Sequence, residues 1–208
     1  MIDRALRDKL IDAYVALIPL ILLNLVWFII SLPLITLIPA TGGLFYATHK
    51  LAHGHSADWH TLIEGFRLYF WQSWVVGLIS VGLVAVFATN FLFYSFADSG
   101  LAVWIRGMVI VLALLWLAIQ IYLFPLLMEQ EHPHLRLALR NSLVIILKRP
   151  LFTLGMTLSI AALMIGTMLV IQPAWIFITA SACAFFANQA TVSSIGRITG
   201  KTASSEQP

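Results

Sequence analysis

The sequence predicts an all-α fold, a polytopic transmembrane helix bundle, and three observations carry that prediction. Hydrophobic residues make up 61% of the chain and charged residues only 10%, a balance that suits lipid and not a water-exposed surface. Five apolar stretches, at residues 13–32, 74–97, 101–128, 151–171 and 174–195, are each long enough to cross about 30 Å of hydrocarbon. They are continuous, whereas a membrane barrel needs strands of ~10 alternating residues. Residues 1–198 are expected to form one membrane-embedded domain, followed by a polar, disordered tail at residues 199–208.

The opening residues mix Asp3, Asp8 and Asp12 with Arg4, Arg7 and Lys9. The apolar stretch after them is longer than a signal core and lacks a small-residue cleavage site, so no cleavable signal peptide is expected. The first long helix, residues 13–32, then meets Pro33 and Pro39. Each proline lacks an N–H and disfavours helix in the residue before it. A non-helical, re-entrant turn through residues 33–39 is expected, buried against residues 74–97 or 151–171. The chain returns along residues 40–51, where Gly42 and Gly43 permit close backbone approach.

Two further segments are amphipathic. Between residues 58 and 74 the apolar positions Trp59, Leu62, Ile63, Phe66, Tyr69 and Phe70 recur at helical spacing. Between residues 134 and 149, Leu135, Leu139, Leu143, Ile146 and Leu147 share a face opposite Arg136 and Arg140. Pro133 suits a first helical turn, and Pro150 marks a break before the next span. Both segments read as helices lying in the membrane interface, with the apolar face towards the lipid tails. Short connections at residues 98–100 and 172–173 demand tight antiparallel hairpins.

The 12 basic residues set the expected topology. Five plain crossings put Arg4, Arg7, Lys9 and Arg106 on one side and the remaining eight on the other. With a re-entrant first hairpin, every basic residue but Arg106 shares one side. The positive-inside rule favours that arrangement, with both termini cytoplasmic. The net charge of +3, spread beside apolar runs, fits membrane anchoring, and no nucleic-acid partner is expected. Cys183 is the single cysteine, so no disulfide can form within the chain.

The residues Asn24-Leu25-Val26-Trp27, then Ser31, Pro33, Thr36, Pro39, Ala40 and Phe45-Tyr46, resemble the YesL-like family of bacterial integral membrane proteins, a domain of unknown function. The resemblance continues through Trp59, Leu62, Phe66, Phe70 and Trp71, and again at Ala138-Leu139-Arg140-Asn141-Ser142 with Pro150. Ile38 departs from it where relatives carry Gly, and His49, His53 and His55 depart where relatives carry Arg or Lys. The resemblance implies a location in the bacterial cytoplasmic (inner) membrane and a link to carbohydrate uptake, with a sugar ABC transporter as partner. It implies no catalytic residues.

Candidate sites are few. Asn24, Trp27, Ser31, Pro33, Thr36 and Pro39 form the structural hairpin and a possible pocket. Asn24, Ser31 and Thr36 are expected to satisfy backbone groups freed by the prolines. His49 and His53, four apart on one helical face, are weak metal candidates within a group that also holds His55, Asp58 and His60. Solvated histidines at a polar connection explain them better, so no metal or other cofactor is expected. His132 and His134 read as helix-start residues. Small residues four apart, Gly155 and Ser159, Ala162 and Gly166, Ala180 and Ala184, allow close helix packing, by default within the bundle.

No phosphate loop, no metalloprotease helix and no nucleophile elbow occurs in the sequence. No Asp, Glu, Lys or His stands mid-span, where ionisable groups are costly and mark transport or catalysis, and Arg106 can snorkel to the interface. The function expected is that of a non-enzymatic accessory protein in the lipid bilayer. The alternative is a passive pore, facilitator or lipid-handling protein.

Overall fold

A computed structural model describes the backbone of residues 4–97, 99–169 and 175–199, and side chains over residues 17–97, 99–169 and 176–198. It is all-helical: α1 (Arg4–Ser31), α2 (Leu34–Ala52), α3 (Trp59–Leu68), α4 (Phe70–Ser95), α5 (Gly100–Met128), α6 (Leu135–Lys148), α7 (Pro150–Leu169), a π-helical turn (Trp175–Thr179) and α8 (Ala180–Thr199). Among the described residues, four helices are long and apolar enough to cross a membrane: Phe70–Ser95, Gly100–Met128, Pro150–Leu169 and Ile176–Ile198. Within α1 the stretch Leu17–Ser31 forms a shorter apolar helix. The expected tail at residues 200–208 and the turn at residues 172–173 lie outside the described residues.

The break at the first hairpin is far narrower than the sequence suggests. Only Leu32 and Pro33 leave the helix, and α2 runs unbroken through Pro39. The expected non-helical turn over residues 33–39 is therefore wrong. One proline removes one intrahelical bond, whereas seven non-helical residues in an apolar medium would orphan many polar groups. The expected burial against residues 74–97 holds for only part of the segment: Pro39 is buried and Ile38 abuts Gly77 of α4. Leu32, Leu34 and Ile35 are 66%, 82% and 69% exposed, so an apolar tip points outward.

Glycines set the packing of α2. A Cβ on Gly43 would sit 2.5 Å from the Leu62 carbonyl oxygen and 3.0 Å from the Phe66 nitrogen, both backbone atoms of α3. A Cβ on Gly42 would collide with the Ser73 hydroxyl of α4. The close approach expected at these two glycines is present, with α3 and α4 as the partners.

The first amphipathic segment divides in two. Asp58 caps α3, its carboxylate accepting from the Thr61 N–H at 3.0 Å and from the Thr61 hydroxyl at 2.9 Å. The helix stops at Leu68, and α4 starts at Phe70, four residues earlier than the apolar run suggests. Leu62 and Tyr69 are buried within the protein instead of facing lipid, while Trp59 is half exposed.

In α6 the face expected to turn towards lipid is divided, with Leu135, Leu139 and Ile146 packed partly buried against the core. Ala138, Ser142 and Ile145 turn inward, and Leu143 and Leu147 are exposed. Small side chains let α6 lie close to α5, and the Ser142 hydroxyl is satisfied by the Ala138 carbonyl at 2.9 Å. Pro133 precedes the His134 cap instead of entering the first turn, whereas Pro150 opens α7 as expected.

The core has two parts. One gathers the last third of α5 with Tyr69, Val76, Ala138, Ile145, Ala187 and Ala190. The other joins Leu23 and Trp27 of α1, Ala40, Leu44 and Ala47 of α2, Leu62 of α3 and Ala184 of α8. Ala184 is buried, but nothing lies within 4 Å of a Cβ at Gly155 or Gly166. The small-residue face of α7 thus looks out of the bundle, against the expectation of internal packing.

Candidate functional site

Asn24 is fully buried, and it serves the last span, not the prolines. Its side-chain N–H donates to the Ile176 carbonyl at 2.6 Å, and its side-chain oxygen accepts from the Ser181 N–H at 2.8 Å. Ile176 and Ser181 stand five residues apart, the spacing of a π-helical rung, so the amide is inserted where the ladder is open. The sequence gives no sign of that break, because residues 174–195 read as one apolar run.

Thr36 fills its expected role. Its hydroxyl lies within reach of the Ile30 carbonyl and 2.7 Å from the Pro33 carbonyl, closing the hairpin tip. Trp27 donates its indole N–H to the Thr41 hydroxyl at 3.3 Å, tying α1 to α2. Pro39 is buried inside α2. Ser31 does not fill the role expected of it: its hydroxyl is buried with no hydrogen-bond partner among the described residues.

Other interior polar groups also bind helices together. The Asn188 side-chain N–H lies 3.0 Å from the Thr48 hydroxyl and 3.2 Å from the Phe45 carbonyl, joining α8 to α2. The Tyr122 and Thr153 hydroxyls meet at 3.1 Å between α5 and α7.

A groove opens where α2, α4 and α5 meet. Its volume is about 330 Å³, and Ile38, Thr41, Ser73, Ser80, Gln120 and Phe124 are among its walls. The Gln120 amide donates to the Ser80 hydroxyl. The Ser73 hydroxyl and the Gln120 carbonyl oxygen are buried without a partner among the described residues. Ser73 and Ser80 are not singled out by the sequence, where single serines in an apolar run carry no pattern.

The histidine group separates into two clusters. Asp58 pairs with His60 at 3.1 Å while capping α3. The Thr61 N–H, then the Thr61 hydroxyl and His60, hold the Asp58 carboxyl down at about 2. His49 and His53 close the last turn of α2 and meet Glu129, the cap residue of α5. His53 Nε2 is 3.1 Å from Glu129 Oε1, and His49 Nδ1 is 3.9 Å from the same oxygen. Burial, then the neighbouring His53, lowers the His49 imidazole to about 4, so its ring is neutral at pH 7. His55 lines the cleft above, and His134 caps α6. Glu129 is missed by local reading because 75 residues separate it from His53. It is, however, the first carboxylate after the third long span, at the end that the topology places beside His49.

The fold and these contacts define a multi-pass α-helical membrane protein. Residues 20–91 match the model of a family described as "Protein of unknown function, DUF624". That stretch includes every hairpin residue from Asn24 to Pro39 and runs through α3 into α4. Comparisons with curated proteins and with solved structures give no match.

Proposed function

We propose that this chain is a non-enzymatic accessory protein of the bacterial inner membrane, linked to carbohydrate uptake and seated beside a sugar ABC transporter. The observation that carries the accessory reading is how the interior polarity is used. Asn24, Thr48, Tyr122, Thr153 and Asn188 bond helix to helix, and no Asp, Glu, Lys or His lies within the four candidate spans. An ion-driven carrier needs such groups along a path. The carbohydrate link and the YesL-like name rest on the sequence resemblance alone.

Two observations support a re-entrant first hairpin with both termini cytoplasmic. The first is the charge distribution along the sequence, since a re-entrant hairpin would put every basic residue but Arg106 on one side. The second is reach. Ile38 wedges against Gly77, the eighth residue of the 26-residue α4. The hairpin tip lies four residues before Ile38, about 6 Å, whereas α4 continues to Ser95, about 27 Å beyond Gly77. Measured along α4, the exposed apolar tip stops roughly 20 Å short of the α4–α5 turn. In this reading α3 and α6 lie in the cytoplasmic interface.

The groove between α2, α4 and α5 favours a second reading, a passive facilitator or lipid-handling protein. Its unpartnered Ser73 and Gln120 atoms could meet one polar group of an otherwise apolar guest. Mild-detergent purification from native membrane decides between the two. The accessory reading predicts stoichiometric recovery of transporter subunits. Recovery of the chain alone, together with solute flux or lipid movement in proteoliposomes that Gln120→Leu abolishes, overturns it.

A further inference from the structure

We propose that His49, His53 and Glu129 form a binding site for a divalent transition-metal ion of the zinc type. The three donor atoms lie within 4.8 Å of one another. They come from two elements held in fixed register: adjacent turns of α2 carry the histidines, and the end of α5 carries the carboxylate. Zinc–nitrogen and zinc–oxygen bonds of about 2.0–2.2 Å in a tetrahedral site separate neighbouring donors by roughly 3.3 Å. The observed 3.1 and 3.9 Å to Glu129 Oε1 bracket that spacing.

The hydrogen bonding points to a cation. His53 Nδ1 lies 3.0 Å from the His49 carbonyl oxygen, so that nitrogen carries the proton and donates it. The other ring nitrogen, Nε2, is thereby aimed at Glu129 Oε1, 3.1 Å away. A backbone-anchored ring nitrogen is the usual outer support of a histidine metal ligand. His49 Nδ1, 3.9 Å from the same oxygen, is shielded from solvent and has no hydrogen-bond partner among the described residues. A single cation satisfies all three atoms together.

The site keeps an open side. A cleft of about 630 Å³ lies over it, with Tyr46, Lys50, His55 and Ser56 among its walls. The Lys50 ammonium is drawn aside by Glu64 at 3.1 Å and by the Tyr46 ring, its nitrogen 4.7 Å from the ring centroid. Two histidines and one carboxylate with free positions suit zinc, cobalt or iron(II), and a water or small anionic ligand can complete the shell.

The test uses the full chain in detergent, purified without a polyhistidine tag. Zn²⁺ is titrated calorimetrically, and Co²⁺ is followed by its visible absorption. The expected result is one equivalent bound, a tetrahedral cobalt spectrum, and affinity at least about tenfold weaker in each of His49→Ala, His53→Ala and Glu129→Gln. His60→Ala, in the separate Asp58 cluster, should bind as the parent does. Zinc should also raise the melting temperature of the parent but not of Glu129→Gln, a near-isosteric change whose metal-free stability confirms folding. Equal zinc affinity in the parent and Glu129→Gln, an equal loss in His60→Ala, or no saturable binding below about 1 mM overturns the proposal.

Discussion

Asn24 and Thr36 are both polar residues near the same hairpin, yet they do different work. The Asn24 amide joins α1 to the π-helical turn before α8 with one hydrogen bond given and one accepted. Replacing it with leucine removes the partner of one carbonyl and one N–H in the interior. Hydrogen bonds between membrane helices average about 0.6 kcal/mol, and leaving buried groups unpaired costs about 1–3 kcal/mol. Asn24→Leu should therefore lower the melting temperature in detergent by several degrees. Thr36→Val removes one hydroxyl at an exposed tip, where the cost should stay below about 1 kcal/mol. A larger loss from Thr36→Val than from Asn24→Leu would contradict this assignment. The importance of Asn24 is legible in the sequence, since an amide in an apolar helix needs a partner. Its partner is not legible, because a residue 152 positions away supplies it.

At the scale of elements, apolar runs identify the long helices well and prolines mark their ends poorly. Pro33 and Pro150 stand at helix starts, while Pro39 and Pro125 are absorbed inside α2 and α5. Proline's local penalty is the same in each case; the surrounding apolar medium, which forbids open backbone, decides the outcome. Leucine periodicity in α6 marks a lipid-facing side only in part, since Leu143 and Leu147 are exposed while Leu135 and Leu139 pack against the core. Lipid solvates leucine as well as a protein core does, so close packing selects small residues instead. Glycines repeat that lesson on α2 and α7. Gly43→Ala places a methyl group against the backbone of α3 and should cost about 1–3 kcal/mol, read as a lower melting temperature. Gly155→Leu, on the outward face of α7, should leave the melting temperature of the isolated chain within about 0.5 kcal/mol of the parent. The reverse order would show that α7 and not α2 carries the tight contact.

Across the whole molecule, one end concentrates the chemistry. The close of α2, the close of α5 and the start of α7 meet there, and Arg149 reaches from the end of α6 to the Ser194 hydroxyl of α8 at 3.3 Å. The charge pattern anticipates this gathering, because membrane orientation is written in the loops. The joining of His49 and His53 to Glu129 depends instead on how far each helix extends, which composition does not record. The central claim is that the first hairpin enters and leaves on one side, so that both chain ends share that end. Cysteine labelling in intact cells tests it most directly. In a Cys183→Ala background, single cysteines replace Asp3, Ser56, Ser99 and His132, and a membrane-impermeant thiol reagent is added outside. The account predicts labelling of the Ser99 position alone, with Asp3, Ser56 and His132 labelled only after the cells are opened. External labelling at Asp3 together with Ser99 would mean five plain crossings and would contradict it.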